Sequence, residues 1–191
     1  MACTSATLAG LAIDCEQSMG GIQKILIAPY TAGTITKTTW SGATSADTDD
    51  VSEAIATISG FTTGSTDWKA YYFRKGNAQA TSTLNIDAAN GVNYVSTELQ
   101  MTFTKQDTVK RIEMSALALG EVMVLYKDAN GLCWALGIDN PVTCTAGTAQ
   151  TGGAKTDGNN YQITLTAEDA TYPLQLDKAT SDVVDAFPYP N

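Results

Sequence analysis

From Val95 to Thr104 apolar and polar side chains alternate without a break. Val95, Thr97, Leu99, Met101 and Phe103 fall on one side, and Ser96, Glu98, Gln100, Thr102 and Thr104 on the other. A period of two sustained over that length predicts a long strand with one covered face. The period then changes. Between Gln106 and Leu119 the apolar positions Val109, Ile112, Ala116 and Leu119 recur at three and four residues, with Lys105, Lys110 and Arg111 interleaved. This predicts a helix over about 106–119 whose apolar stripe covers a neighbouring sheet. Asp107 is placed to cap its first turn and Gly120 to supply a left-handed stop. Directly afterwards the β-prone runs Glu121–Tyr126 and Leu132–Leu136 flank Asp128, Asn130 and Gly131, the pattern of a hairpin with a short loop.

Elsewhere the pattern is mostly of strands. Ile22–Ala28 reads as a strand stopped by Pro29. Tyr30 to Asp67 is rich in Thr, Ser, Gly and Asp, which predicts a long flexible loop. Trp40 is its large anchor, and Asp47, Asp49 and Asp50 form an acidic tip; these four are candidate interface residues. Within the same region Val51–Ile58 fits a strand or a short helix and is read as a strand. Trp68–Arg74, Ala80–Ile86, Pro141–Thr151 and Asn160–Ala167 complete the strand set. The end, 170–191, carries Pro173, Pro188 and Pro190 and is expected to lie as an arm rather than a packed element. A chain of 191 residues with one clear helix suggests a single mostly-β (α+β) domain spanning 1–191.

Charge and residue chemistry narrow the function classes. Twenty acidic against eleven basic residues give a net charge of −9, which argues against a phosphate-gripping surface and would let nucleic acid pass without sticking. With no histidine, serine and cysteine hydrolase triads of the usual kind are excluded. Cys3, Cys15, Cys133 and Cys144 have no Cys-x-x-Cys spacing and read as free thiols in a reducing compartment. The carboxylate pairs Asp49–Asp50 and Glu168–Asp169 would point to opposite faces of a strand, so they read as solvated charges. The Gly-Gly steps at 20–21 and 152–153 lack the lysine and hydroxyl of a phosphate-binding loop and mark turns. Asp128-Ala-Asn-Gly superficially matches a calcium loop, lacks the distant glutamate, and is read as a turn. Trp40, Trp68 and Trp134 read as core or interface anchors. The reading is of no enzyme, with no catalytic residue, cofactor or metal site. The N-terminus lacks a basic segment followed by an apolar one, and no run reaches the length of a membrane span, so synthesis in the cytoplasm with no membrane partner is expected.

Two stretches carry a family likeness. Asp14-Cys15-x-x-Ser18-x-Gly20-Gly21-Ile22 leads straight into a strand. Later come Leu125-Tyr-Lys-Asp-x-Asn-Gly131, Trp134-x-Leu-Gly137, Thr145-x-Gly-Thr-x-x-Thr-Gly152 and Asp157-Gly158-x-x-Tyr161-x-x-Thr164-Leu165-Thr166-x-Glu168. In this order they resemble tail-tube-type virion structural proteins of tailed phages and prophages of Bacteroidetes. The likeness covers the first thirty residues and about 120–170, and leaves out the loop from Tyr30 to Asp67. It implies a small β-sandwich or barrel flanked by one helix, six copies closing into a homo-hexameric ring, and rings stacking into the major tail tube. Genomic DNA would leave through that conduit without specific binding, and other tail or neck proteins would be partners in the virion. A tail terminator, a neck or collar ring and a baseplate hub on a related fold are alternatives. A capsid decoration or carbohydrate-binding β-sandwich is an alternative of another class. For a DNA conduit the lumen should be neutral or negative, and Glu98 and Glu121, read as strand residues, are the candidate lumen-facing side chains.

Overall fold

A computed structural model describes residues 18–31, 33–38, 55–59, 61 and 67–187. In chain order the elements are β1 (Ile22–Pro29), β2 (Ile35–Thr38), β3 (Ile55–Ile58), β4 (Lys69–Tyr72), β5 (Ala78–Asp87), β6 (Val92–Thr104), α1 (Thr108–Leu119), β7 (Val122–Asp128), β8 (Cys133–Leu136), β9 (Thr143–Gln150), β10 (Asn160–Asp169), β11 (Leu174–Leu176) and α2 (Lys178–Ala186). The protein is mostly β, with two helices and two open sheets. One sheet has seven strands in the order β2-β3-β11-β8-β7-β1-β4; the other has four, β5-β6-β10-β9. All pairs are antiparallel except β11 with β3.

The seven-stranded sheet is covered on both sides, which is why its central strands read as continuous apolar runs rather than alternating ones. From one face Ile25 and Ile27 of β1, with Val122, Val124 and Tyr126 of β7, join Ala78, Leu99, Met101, Ile163, Leu165 and Ala167 of the four-stranded sheet in one apolar cluster. From the other face Leu26, Ala28, Met123, Leu125, Cys133 and Ala135 pack with Trp68, Leu176, Val184 and Phe187. The four-stranded sheet is covered on one face only. Its strand β6 therefore shows the clean alternation, with Val95, Thr97, Leu99 and Met101 buried. Buried Thr97 is satisfied by the Ser82 hydroxyl at 2.8 Å.

Four features differ from the sequence reading. The 170–191 stretch is not a laid-down arm through its described part: β11 inserts between β3 and β8, α2 buries Val184, and Phe187 just beyond it is buried too. Within the predicted loop 30–67 the structure adds β2, which pairs at the sheet's edge with β3, the described part of the strand read at Val51–Ile58. Third, α1 turns its expected core stripe outward. Val109, Ile112 and Leu119 are 71 %, 57 % and 92 % exposed, while Leu117 and partly buried Met114 face the core. The helix packs beside β9 and β10 rather than across the hairpin that follows it. Finally, Gly120 does not end α1 in a left-handed conformation; its φ of −92° and ψ of 147° are extended, and the chain runs straight on into β7. The start of α1 is as expected, with the Asp107 carboxylate accepting from the Lys110 backbone N–H at 2.8 Å.

The hairpin β7–β8 forms around Asp128. One carboxylate oxygen accepts from the N–H groups of Asn130 and Leu132, both at 2.9 Å, and the other from the Trp134 indole at 3.1 Å. Gly131 takes the left-handed position, φ +91°, that closes the loop. A lysine pins the far end of the chain. Lys24, buried on β1, points its ammonium at the carbonyls of Val184 (2.5 Å), Phe187 (2.9 Å) and Asp185 (3.3 Å), the orphan acceptors at the C-terminus of α2. The Tyr72 hydroxyl donates to the same Phe187 carbonyl at 2.7 Å, and Lys127 pairs with Asp185 at 2.6 Å. Burial pulls the Lys24 pKa below the usual lysine value while neighbouring Asp185 pulls it back. Among the described residues no helix is long and apolar enough to cross a membrane.

Candidate functional site

The uncovered face of the four-stranded sheet is the most distinctive surface of the molecule. Antiparallel register lines its outward side chains into rows across the strands. Gln79, Gln100, Thr164 and Ala146 make one row; Thr81, Glu98, Thr166 and Thr143 the next; Thr83, Ser96 and Glu168 a third. Gln79 donates to Gln100 across the first pair at 2.8 Å. A bulge in β9 leaves Thr145 as an extra residue, and its hydroxyl lies 2.8 Å from that of Thr166. Glu98 and Glu168 are exposed diagonal neighbours on adjacent strands. The sequences of β5, β6, β9 and β10 contain no Lys or Arg at all. The face is thus a carpet of hydroxyls and amides with carboxylates as its charges. Against a polyanion it supplies repulsion at short range and no cation to hold a phosphate.

The sheet's two edges are the second component. Its order ends at β5 on one side and β9 on the other, so each leaves a row of backbone N–H and C=O groups without a strand partner among the described residues. Edge strands are usually guarded by Lys, Pro or inward charges. Here β9 is Thr-Cys-Thr-Ala-Gly-Thr-Ala-Gln with no charge and no proline, and β5 has Asp87 alone, at its end. The alternation of directions across four antiparallel strands makes β5 and β9 run opposite ways. A copy rotated about an axis along the strands therefore presents β5 to β9 in antiparallel orientation, and the sheet can continue from one copy into the next.

The residues singled out from sequence are not brought together. Glu98 sits at the middle of the polar face. Glu121 lies just before β7, not on a strand, and borders a groove with Ile27, Pro29, Tyr71, Glu113 and Leu117 on the α1 side. Its carbonyl accepts from the Tyr30 backbone N–H at 2.9 Å. In that groove the Tyr71 hydroxyl donates to Glu113 at 3.0 Å. Burial, then the neighbouring Glu113 carboxylate, push the phenol's pKa above its ordinary value, so Tyr71 stays a donor rather than a base. Trp40, Asp47, Asp49 and Asp50 lie outside the described residues, as do Cys3 and Cys15. Cys133 and Cys144 are free thiols; burial is the first cause that raises the pKa of Cys133. The Asp128 loop spends its carboxylate on its own N–H groups and on Trp134, which leaves it serving the turn. Among the described residues no three His, Cys, Asp or Glu side chains gather as a metal site.

Glu168 reads from sequence only as a solvated charge and a motif residue; its place beside Glu98 and the cation-free edges escape that reading. The run of residues without Lys or Arg was visible there, but only the strand register puts four such runs side by side. Comparisons with family models, curated proteins and solved structures return no match.

Proposed function

We propose that this chain is a self-assembling structural protein of a phage virion, the subunit of a tail tube whose rings stack into a DNA conduit. The observation that carries the reading is the four-stranded sheet with two unguarded, oppositely directed edges and a face free of Lys and Arg. Six copies joined β5 to β9 would close their six four-stranded sheets into one barrel and remove those edges. The uncovered face would then line the bore, with Glu98 and Glu168 presenting carboxylates to passing phosphates. The motif order described above, which resembles tail-tube-type virion proteins, supports the same assignment. The two sheets sharing an apolar cluster would be the sandwich of that family, and α1 its flanking helix.

Negative-stain microscopy of the purified protein, concentrated and at raised salt to screen the net charge of −9, should show closed rings and tubes. Rings that never stack would move the assignment to a terminator or collar component. A monomer at every concentration and salt level would overturn it.

A further inference from the structure

Five large apolar side chains that the fold leaves exposed form two patches. Leu84 and Ile86 share one face of the β5–β6 hairpin tip, with Val92 beside Asp87 on its other face, and Val109, Ile112 and Leu119 lie on the outer side of α1. Exposed apolar clusters of this kind mark contact surfaces. The tip is an extension. Strand β10 stops at Asp169, opposite Val95, while β5 and β6 go on pairing through Tyr94, Asn93 and Val92, about 10 Å further at the usual rise of a strand. The first turn of α1 lies at the other end of the sheet, where Lys105 and Gln106 donate their backbone N–H groups to Asn159 just before β10 begins. Tip and helix start therefore face opposite ways along the strands.

Their charges are complementary. From Ala78 to Thr104 the hairpin carries Asp87 and Glu98 and no cation, with Asp87 at the tip itself. In a chain of net charge −9, the segment 105–119 holds Lys105, Lys110 and Arg111 against Asp107 and Glu113, and is net positive. Lys110 is engaged with Asp107 at 3.1 Å; Lys105 and Arg111 flank the Val109–Ile112 part of the stripe and are exposed.

We infer that the β5–β6 tip of one copy docks on the first turns of α1 of a second copy displaced along the strand direction, Leu84 and Ile86 seating against Val109 and Ile112 with Asp87 near Lys105 and Arg111. The contact is heterologous, so it propagates rather than closing on itself. It deepens the assembly reading above, on which it rests for the partner being a second copy, and it supplies the stacking contact that edge pairing within a ring does not.

Ile86→Cys and Ile112→Cys are tested separately and as an equimolar mixture, under assembling conditions in a glutathione redox buffer. Both side chains are mainly exposed, Ile86 at 68 %, so each variant keeps the parent circular dichroism spectrum. The mixture should gain a disulfide-linked dimer whose joined peptides contain positions 86 and 112, while each variant alone shows only the background of the parent cysteines. A disulfide requires Cα atoms within about 7 Å, so the link reports direct docking. Rings or tubes without the 86–112 link would overturn this contact and leave the assembly reading standing. The link without rings would keep the contact and overturn the ring. A 112–112 link in the Ile112→Cys sample alone would replace it with symmetric helix pairing, and the absence of both link and assembly would overturn both.

Discussion

Asp169 holds a carboxylate oxygen that is buried without a hydrogen-bond partner, at the end of β10. Burial, then the nearby Asp139 carboxylate, raise its pKa, although the backbone N–H groups of Asp139 and Asn140 oppose them. A carboxyl whose folded pKa exceeds its unfolded value near about 3.9 binds its proton more tightly in the native state. Its charge therefore costs stability at neutral pH, and that cost disappears as pH falls through the window just above the ordinary carboxylate range. Asp107 and Asp157 act the other way. The N–H of Lys110 on Asp107, and those of Ala154 and Gly153 on Asp157, hold both carboxyls below the usual value. Their contribution is present above the unfolded pKa and is lost as pH falls through their lower folded values. Urea midpoints measured from pH 3 to 8 should therefore pass through a maximum on the mildly acidic side. Asp169→Asn should raise the midpoint at pH 7 and abolish the decline from that maximum toward neutrality. A variant as pH-sensitive as the parent over that range would show that Asp169 is not responsible. Much at this scale was legible beforehand: Asp107 as a cap and Asp128 as a turn residue follow from local chemistry within four residues of chain. Asp169 was not, because its environment comes from the strand-end loop at Asp139, thirty positions away in sequence.

Among the elements, α2 is held by buried Val184 on its face and by Lys24 at its C-terminus. Lys24→Met keeps most of the apolar stem and removes the donor, taking the lysine's hydrogen bonds from the carbonyls of Val184 and Asp185 while that of Phe187 keeps the Tyr72 hydroxyl. The expected loss is about 2–3 kcal/mol, the cost of removing a charged hydrogen-bonding partner from a buried site. The readout specific to α2 is Cys133, which packs under it with Val184. The thiol should react with a disulfide reagent markedly faster in Lys24→Met than in the parent. Global destabilisation without faster reaction in native conditions would place the lysine's role elsewhere. The two helices also show why periodicity alone misled. Helix α1 carries two apolar rows, Val109-Ile112-Ala116-Leu119 and Met114-Leu117. Spacing cannot say which one faces inward when the sheet it packs on is assembled from β9 and β10, distant in sequence. Helix α2 has only Val183 and Val184 as large apolar residues, too short a stripe to announce itself, and prolines nearby suggested an arm. The strands fared better because alternation is a local signal, and β6, β7, β8 and β10 lie close to where the pattern put them.

At the scale of the whole molecule, charge is distributed by sheet. The lysines and arginines sit on the seven-stranded sheet, on or beside the helices and in loops, while the four-stranded sheet has none. If the uncovered face lines a bore, Glu98→Lys places six cations in each ring. Such tubes should assemble normally yet retain short double-stranded DNA in a co-sedimentation assay, with retention falling steeply as salt rises. Retention by the parent protein at moderate salt, equal to that of the variant, would count against the lining role. The candidate face was only partly legible: Glu98 stood out by its strand position, but the rows around it exist only once β5, β6, β10 and β9 are registered. The strand order carries one more implication. Among the described residues, strands β2 and β3 pair with the rest of their sheet through β11, which is made of residues 174–176. During synthesis, at roughly 5–20 residues per second, the β2–β3 ribbon has emerged many seconds before its docking strand exists. The nascent chain can complete the four-stranded sheet while the seven-stranded one still lacks its keystone. A ribosome that stalls or a protease that clips ahead of Leu174 would thus release a subunit whose β2–β3 ribbon lacks its docking strand, recognisable to cellular quality control before it could be built into a particle.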